Sequence, residues 1–134
     1  MIQTLYLPRT AWSAMERHVQ RRAPMEACGL LAGTNQQVER VIGVRNAARS
    51  LVRYRMSPAD QWRAFCEIEE LKLDLLGIYH SHPRGPDRPS PTDILEAMYP
   101  VVQVIWTPLS GKWQAEGFWI EEGQVSEVSL QIIP

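Results

Sequence analysis

A chain of 134 residues suits one domain, residues 1-134, built around one core. Its 45% hydrophobic and 22% charged residues match an ordinary soluble globular composition. A formal net charge of -1 argues against a broad surface for nucleic acid or membrane and leaves room only for a local basic patch.

Ile2 to Leu7 reads as a first strand. Pro8 then opens a helix with Trp12, Met15 and Val19 on one face, which ends near Arg21-Arg22 ahead of Pro24. Glu26 to Gly33 is short, apolar and glycine-bounded, a buried strand. After the polar turn Thr34 to Gln37, Val38 to Val44 forms its antiparallel neighbour. Ser57 and Pro58 are N-cap and first residue of a second helix, whose core face is Ala64, Ile68 and Leu71 with Phe65 beside them. Leu73 to Tyr79 is a central strand that runs into His80. Pro83, Gly85, Pro86 and Pro89 stiffen the following loop, and Ser90-Pro91 begins a short third helix. Val101 to Trp106, Trp113 to Ile120 and Val125 to Ile132 are closing strands joined by turns at 108–111 and 121–123. This order implies a mixed central β-sheet with about three helices, an α/β or α+β sandwich. No apolar run approaches the ~18 residues of a membrane span. The segment Met1 to Leu7 lacks the marks of a signal peptide. Cys28 and Cys66 make no disulfide framework, so a cytoplasmic setting is expected.

The chemistry concentrates in His80-Ser81-His82, then seven residues, then Ser90-Pro91-Thr92-Asp93. Residues i and i+2 of a strand share a face, so His80 and His82 project together and Ser81 points away. Asp93 returns from the proline-rich loop. Two imidazoles and a carboxylate suit one zinc ion at about 2.0–2.2 Å, with a fourth position left for water. Ser90 and Asp93 equally fit a capping box, and one turn can serve both purposes. A hydrolytic site also needs a base. Glu26, at the start of an apolar strand, is the best candidate, and a strand-edge glutamate facing water is the alternative.

The remaining residues read more plainly. Cys28 is a small buried packing residue and Cys66 has no assigned role. His18 is an exposed helix residue, and Gly29 and Gly33 form no phosphate loop. The five tryptophans belong mostly to the core. Arg84 and Arg88, flanking Asp87, are either a solvated loop or a means of steering a substrate carboxylate.

Met25 to Gly33, together with the histidine pair and Ser90-Pro91-Thr92-Asp93, resembles the JAMM (MPN+) metalloprotease domain. That family's pattern is a glutamate in an E-x-x-G-L-L-x-G-like strand followed by H-[ST]-H-x7-S-x2-D. The resemblance covers nearly the whole chain and implies an MPN, cytidine-deaminase-like architecture. It implies one Zn2+ held by His80, His82 and Asp93. It makes Glu26 the general base, then acid, and Ser90 an oxyanion stabiliser.

The resemblance further implies hydrolysis of an amide or isopeptide bond, often at the tail of a ubiquitin-like protein that pairs with a strand edge. Between Asp93 and Val101 there is no room for the docking insertion of family deubiquitinases. Small stand-alone prokaryotic members are the better likeness. They imply a β-grasp sulfur-carrier partner with a C-terminal Gly-Gly tail, with no nucleic acid and no membrane. Homodimerisation stays open. The alternatives are a general zinc peptidase and a non-catalytic scaffold; a structural zinc normally takes four protein ligands, and only three are evident. A nucleobase deaminase would need H-x-E and P-C-x-x-C, which are absent.

Overall fold

Alternation of buried Leu5 and Leu7 with less buried neighbours sets the first strand, β1 (Thr4–Pro8), and the chain continues directly into α1 (Arg9–Arg22). The computed structural model describes residues 1–48 and 50–134. The other elements are β2 (Cys28–Thr34), β3 (Gln37–Val44), α2 (Pro58–Glu70), β4 (Asp74–Ser81), α3 (Pro91–Glu96), β5 (Val102–Leu109), β6 (Lys112–Glu121) and β7 (Gln124–Ile133). Mixed sheet and helices are as the sequence implies.

Three hairpins are made by two-residue turns whose residues both have positive φ, the geometry that matches the twist of paired strands. They are Asn35-Gln36, Ser110-Gly111 and Glu122-Gly123. The sheet order is β1-β3-β2-β4-β5-β6-β7, and it closes. β7 lies parallel to β1 from Thr4↔Ser129 to Pro8↔Ile133, and β1 touches β3 at Tyr6↔Gln37. Closure leaves few free strand edges, and nothing local in the sequence announces it.

Two pairings position the site. β4 and β5 are parallel, so the chain crosses over between them through α3, next to the C-terminal end of β4. β2 is antiparallel to β4, so the start of β2 meets that same end. One core lies under α1, where Leu5, Leu7, Met15, Val19, Val104 and Trp106 pack. A second lies under α2 and joins Leu30, Val44, Ala64, Ile68 and Ile78. A register shift at Leu31/Ala32 lets Leu76 turn to the first core while Ile78 serves the second.

Two expectations need correction, and one tryptophan stands apart from the rest. Leu71 caps α2 and is 41% exposed, because the helix ends one residue before it. Trp62 lies on the outer side of α2 and is 69% exposed. His18 is partly buried, with its Nδ1 2.6 Å from the Tyr79 hydroxyl of β4.

Candidate metal centre

His80, in β4, and His82, one residue past its end, share the face that Ile78 turns to the second core. Cys28 lies opposite His80 in the β2–β4 ladder, and the same register continued by two residues sets Glu26 against His82. Ser81, on the opposite face, secures that extension. Its N–H donates to the Ala27 carbonyl at 3.1 Å, and its Oγ accepts from the Ala27 N–H at 2.8 Å. Asn46 Nδ2 donates to the Glu26 carbonyl at 3.0 Å. Glu26 is thereby held in place, only 3% exposed.

Asp93 arrives through a complete capping box. Ser90 Oγ accepts from the Asp93 N–H at 3.0 Å, and Asp93 Oδ2 accepts from the Ser90 N–H at 2.9 Å. The same Oδ2 stands 3.1 Å from His80 Nε2 and 3.1 Å from His82 Nε2, and the two Nε2 atoms are 3.0 Å apart. One turn therefore caps α3 and brings a carboxylate to the histidines.

This donor set fits a divalent cation. Ligands about 2.0–2.2 Å from a tetrahedral ion stand roughly 3.3–3.6 Å from one another, a few tenths of an ångström beyond the separations here. His82 Nδ1 lies 2.8 Å from the Pro86 carbonyl, so it carries the proton and leaves a lone pair on Nε2. Tyr54 stacks on His80, with centroids 4.6 Å apart and planes 29° apart, which fixes the other ring. A Glu26 carboxylate oxygen also lies within 4.8 Å of a ring nitrogen of each histidine. The tighter triangle runs through Asp93, the acid that pairs with both rings at 3.1 Å among the described residues.

Charge is strongly shaped here. Burial raises the Glu26 carboxyl to about 7, with His82 opposing and Asp93 adding to the shift. Burial alone would raise Asp93 too, but hydrogen bonds from His80, His82 and the Ser90 backbone hold it well below the usual carboxylate range. Burial keeps His80 below its ordinary value against the pull of Asp93. For His82 the burial effect is outweighed by Asp93, the Pro86 carbonyl and Glu26, so it is raised.

Glu26, His82 and Ser90 line one narrow cleft of about 60 Å³, walled by Val52 and the Pro83–Pro86 loop, with Arg84 at its side. Val52 and Ser90 also border a wider hollow of about 250 Å³ beside Asp93 and Tyr54. Arg88 turns instead to Asp87 at 3.9 Å and lines a separate hollow next to β6 and β7. The Cys28 thiol, pushed up to about 12 by burial first and Glu26 second, donates to the Val44 carbonyl at 3.4 Å. It packs and stays protonated. Tyr54, Asn46 and the second duty of Ser81 escaped sequence reasoning. Tyr54 and Asn46 come from the irregular stretch between β3 and α2, where no period marks them.

Residues 8–120 match the family described as prokaryotic homologs of the JAB domain. A Thermus thermophilus protein named "Probable TtuB-protein conjugate cleaving protease" is 42% identical over 130 residues, covering 96% of this chain and 83% of its own. A "Desampylase" of Pyrococcus furiosus is 34% identical, covering 96% and 91%. A "CysO-cysteine peptidase" of Mycobacterium tuberculosis is 33% identical, covering 90% and 86%. Among solved structures, a Desulfitobacterium hafniense protein superposes with a TM-score of 0.87 at 29% identity, covering 97% of this chain and 93% of the other. A JAB1/MPN domain protein of Archaeoglobus fulgidus shares the fold, with a TM-score of 0.61 at 15% identity over 95% and 97% of the two chains. On the family match and the relatives that run nearly its full length, this chain belongs to the prokaryotic homologs of the JAB domain.

Proposed function

We propose that this chain is a zinc-dependent hydrolase that cuts an amide or isopeptide bond at the C-terminal Gly-Gly tail of a ubiquitin-like or sulfur-carrier protein. The observation that carries the reading is the triangle of donor atoms from His80, His82 and Asp93, 3.0–3.1 Å on each edge, with the Glu26 carboxylate beside it. In this reading those three residues hold one zinc ion. When bound, zinc supplies Lewis acidity and lowers the pKa of water toward ~7.

The chain's own residues do the rest. Glu26 takes the proton of the attacking water and returns it to the leaving amine. The bonds of Ser81 to the Ala27 backbone and of Asn46 to the Glu26 carbonyl hold the main chain that carries this side chain. Ser90 Oγ accepts from the Asp93 N–H, which leaves its own O–H free to donate toward the oxyanion that develops on the scissile carbonyl. The Pro86 carbonyl holds His82 in the tautomer that presents Nε2.

The relatives' names, for conjugate cleavage, desampylation and CysO-cysteine hydrolysis, support a protein tail as substrate. A cleft of about 60 Å³ suits glycines better than bulky side chains. The two free cysteines suit a reducing cytoplasm.

The test incubates the zinc-loaded chain with β-grasp carriers extended beyond Gly-Gly and reads intact masses. Loss of the extension, with an unstructured peptide of the same end spared, supports the reading. Cleavage of the loose peptide with the carrier untouched points to a general peptidase instead.

A further inference from the structure

A second charged feature lies on the α1 side of the sheet, away from the donor triangle. α1 turns Arg17, His18 and Arg21 to one face, at i, i+1 and i+4, and β3 turns Gly43 toward them. With Arg22, Arg45 and Tyr79 they line an open groove of about 610 Å³. Its walls hold four arginines and an imidazole, and no carboxylate. Arg17, Arg21, Arg22 and Arg45 form no ion pair among the described residues. In a chain whose net charge is -1, this is a local concentration of positive charge.

The groove is built into the fold. His18 Nδ1 and the Tyr79 hydroxyl are 2.6 Å apart, and the two rings meet edge to face at 5.7 Å. Gly43 leaves the space His18 occupies, since a Cβ there would stand 3.1 Å from His18 Cε1. Arg45 lines the groove, while its Nη2 donates to Ser57 Oγ at 3.3 Å and its backbone N–H to Asp60 Oδ2 at 3.2 Å at the start of α2. Burial first, then Arg21 and Arg22, push His18 down to about 4, so the ring is neutral at pH 7 and the arginines set the field. The helix dipole accounts for Arg21 and Arg22 in the last turn of α1. It does not account for Arg17 one turn earlier or for Arg45 on the other wall.

The groove also adjoins the segment that carries Glu26. The Met25 N–H donates to the Arg22 carbonyl at 2.8 Å, and Asn46, next to Arg45, donates to the Glu26 carbonyl. We propose that this groove is an exosite that docks an acidic surface segment of the protein whose tail enters the metal centre. The proposal rests on the hydrolase reading for its partner and on charge complementarity and this continuity for its place. Guanidinium forks along the α1 wall suit carboxylates presented along a protein surface. Such pairing raises association rate and selects the partner without touching the chemistry.

The test uses the zinc-loaded chain, fluorescein-labelled hexaglutamate as probe and inorganic pyrophosphate as competitor, followed by anisotropy and by the His18 ring signals in NMR. Binding by the unaltered chain should weaken markedly between low salt and roughly 0.5 M salt. The pair Arg17→Glu with Arg21→Glu, both exposed helix positions, should weaken it by at least about tenfold. The same pair should raise KM for an acidic Gly-Gly carrier by a similar factor at unchanged kcat. Should that pair fold poorly, Arg17→Gln with Arg21→Gln gives the same comparison. Hexaglutamate bound as tightly by the variants as by the unaltered chain overturns the proposal. So does a groove that takes pyrophosphate and ignores the peptide. Peptide binding is read without turnover. A chain that binds hexaglutamate through these arginines yet cleaves no carrier therefore supports the groove and overturns the hydrolase reading alone.

Discussion

Glu26 lies just outside β2, and its place depends on the backbone around it more than on its own side chain. Replacing it with glutamine keeps the shape and removes the proposed proton carrier. Glu26→Gln should retain zinc by metal analysis while turnover falls by roughly 100-fold to 10,000-fold. His82→Ala should lose metal and activity together; zinc retained with full affinity would remove His82 from the ligand set. Ser81→Ala leaves the buried Ala27 N–H without its acceptor, a loss of about 1–3 kcal/mol in denaturant unfolding. His18 supplies a pH signature. Its folded pKa of about 4 lies below the ordinary value of 6.5, so the unfolded chain binds the extra proton between those values. Stability contributed by neutral His18 is complete above pH 6.5 and is lost as pH falls toward 4. His18→Gln should flatten that part of the stability profile relative to the unaltered chain. At this scale the histidine pair and Asp93 were legible because their signals are local: a two-residue strand period and a four-residue cap. Tyr54 and Asn46 were not, since their partners lie 26 and 20 residues away in the chain, at His80 and Glu26.

Among elements, the sequence located the strands and helices well because most of them carry their own start or stop signals. Ser57 and Pro58 open α2, Ser90 and Pro91 open α3, and a positive-φ glycine closes each of the last two hairpin turns. Leu71 misled because helical spacing continues past the residue where α2 stops. α3 has only six residues, none of them buried, so its cap matters more than its packing. Ser90→Ala should cost about 1 kcal/mol and should also loosen Asp93. A melting curve measured beside the rate separates these effects: loss of rate well beyond the loss of stability points to the hydroxyl's part in the chemistry.

For the molecule as a whole, mixed sheet and three helices followed from the order of elements, but closure did not. The β1–β7 pairing joins the two ends of the chain, and no neighbouring residues encode it. Register inside the sheet is held by close approaches such as that at Gly29. A Cβ there would overlap the Tyr79 ring and stand 2.6 Å from the Ile42 carbonyl oxygen, which is backbone and cannot swing aside. Gly29→Ala should destabilise by about 1–3 kcal/mol or more and disturb the strand that carries His80.

The crossover between β4 and β5 has one more consequence. Asp93 reaches back to His82 across eleven positions of chain, so an ion shared by them, as proposed, would act as a reversible cross-link that shuts a loop. Holding a loop of that length closed costs roughly 2 kcal/mol of chain entropy. α3 buries none of its residues, so such an ion would add to the capping box in restraining the loop. A chelator should therefore make the stretch from Pro83 to Thr92 the first to be nicked by a protease, while the closed sheet stays intact. The chain would then report its own metal load through the lifetime of one loop.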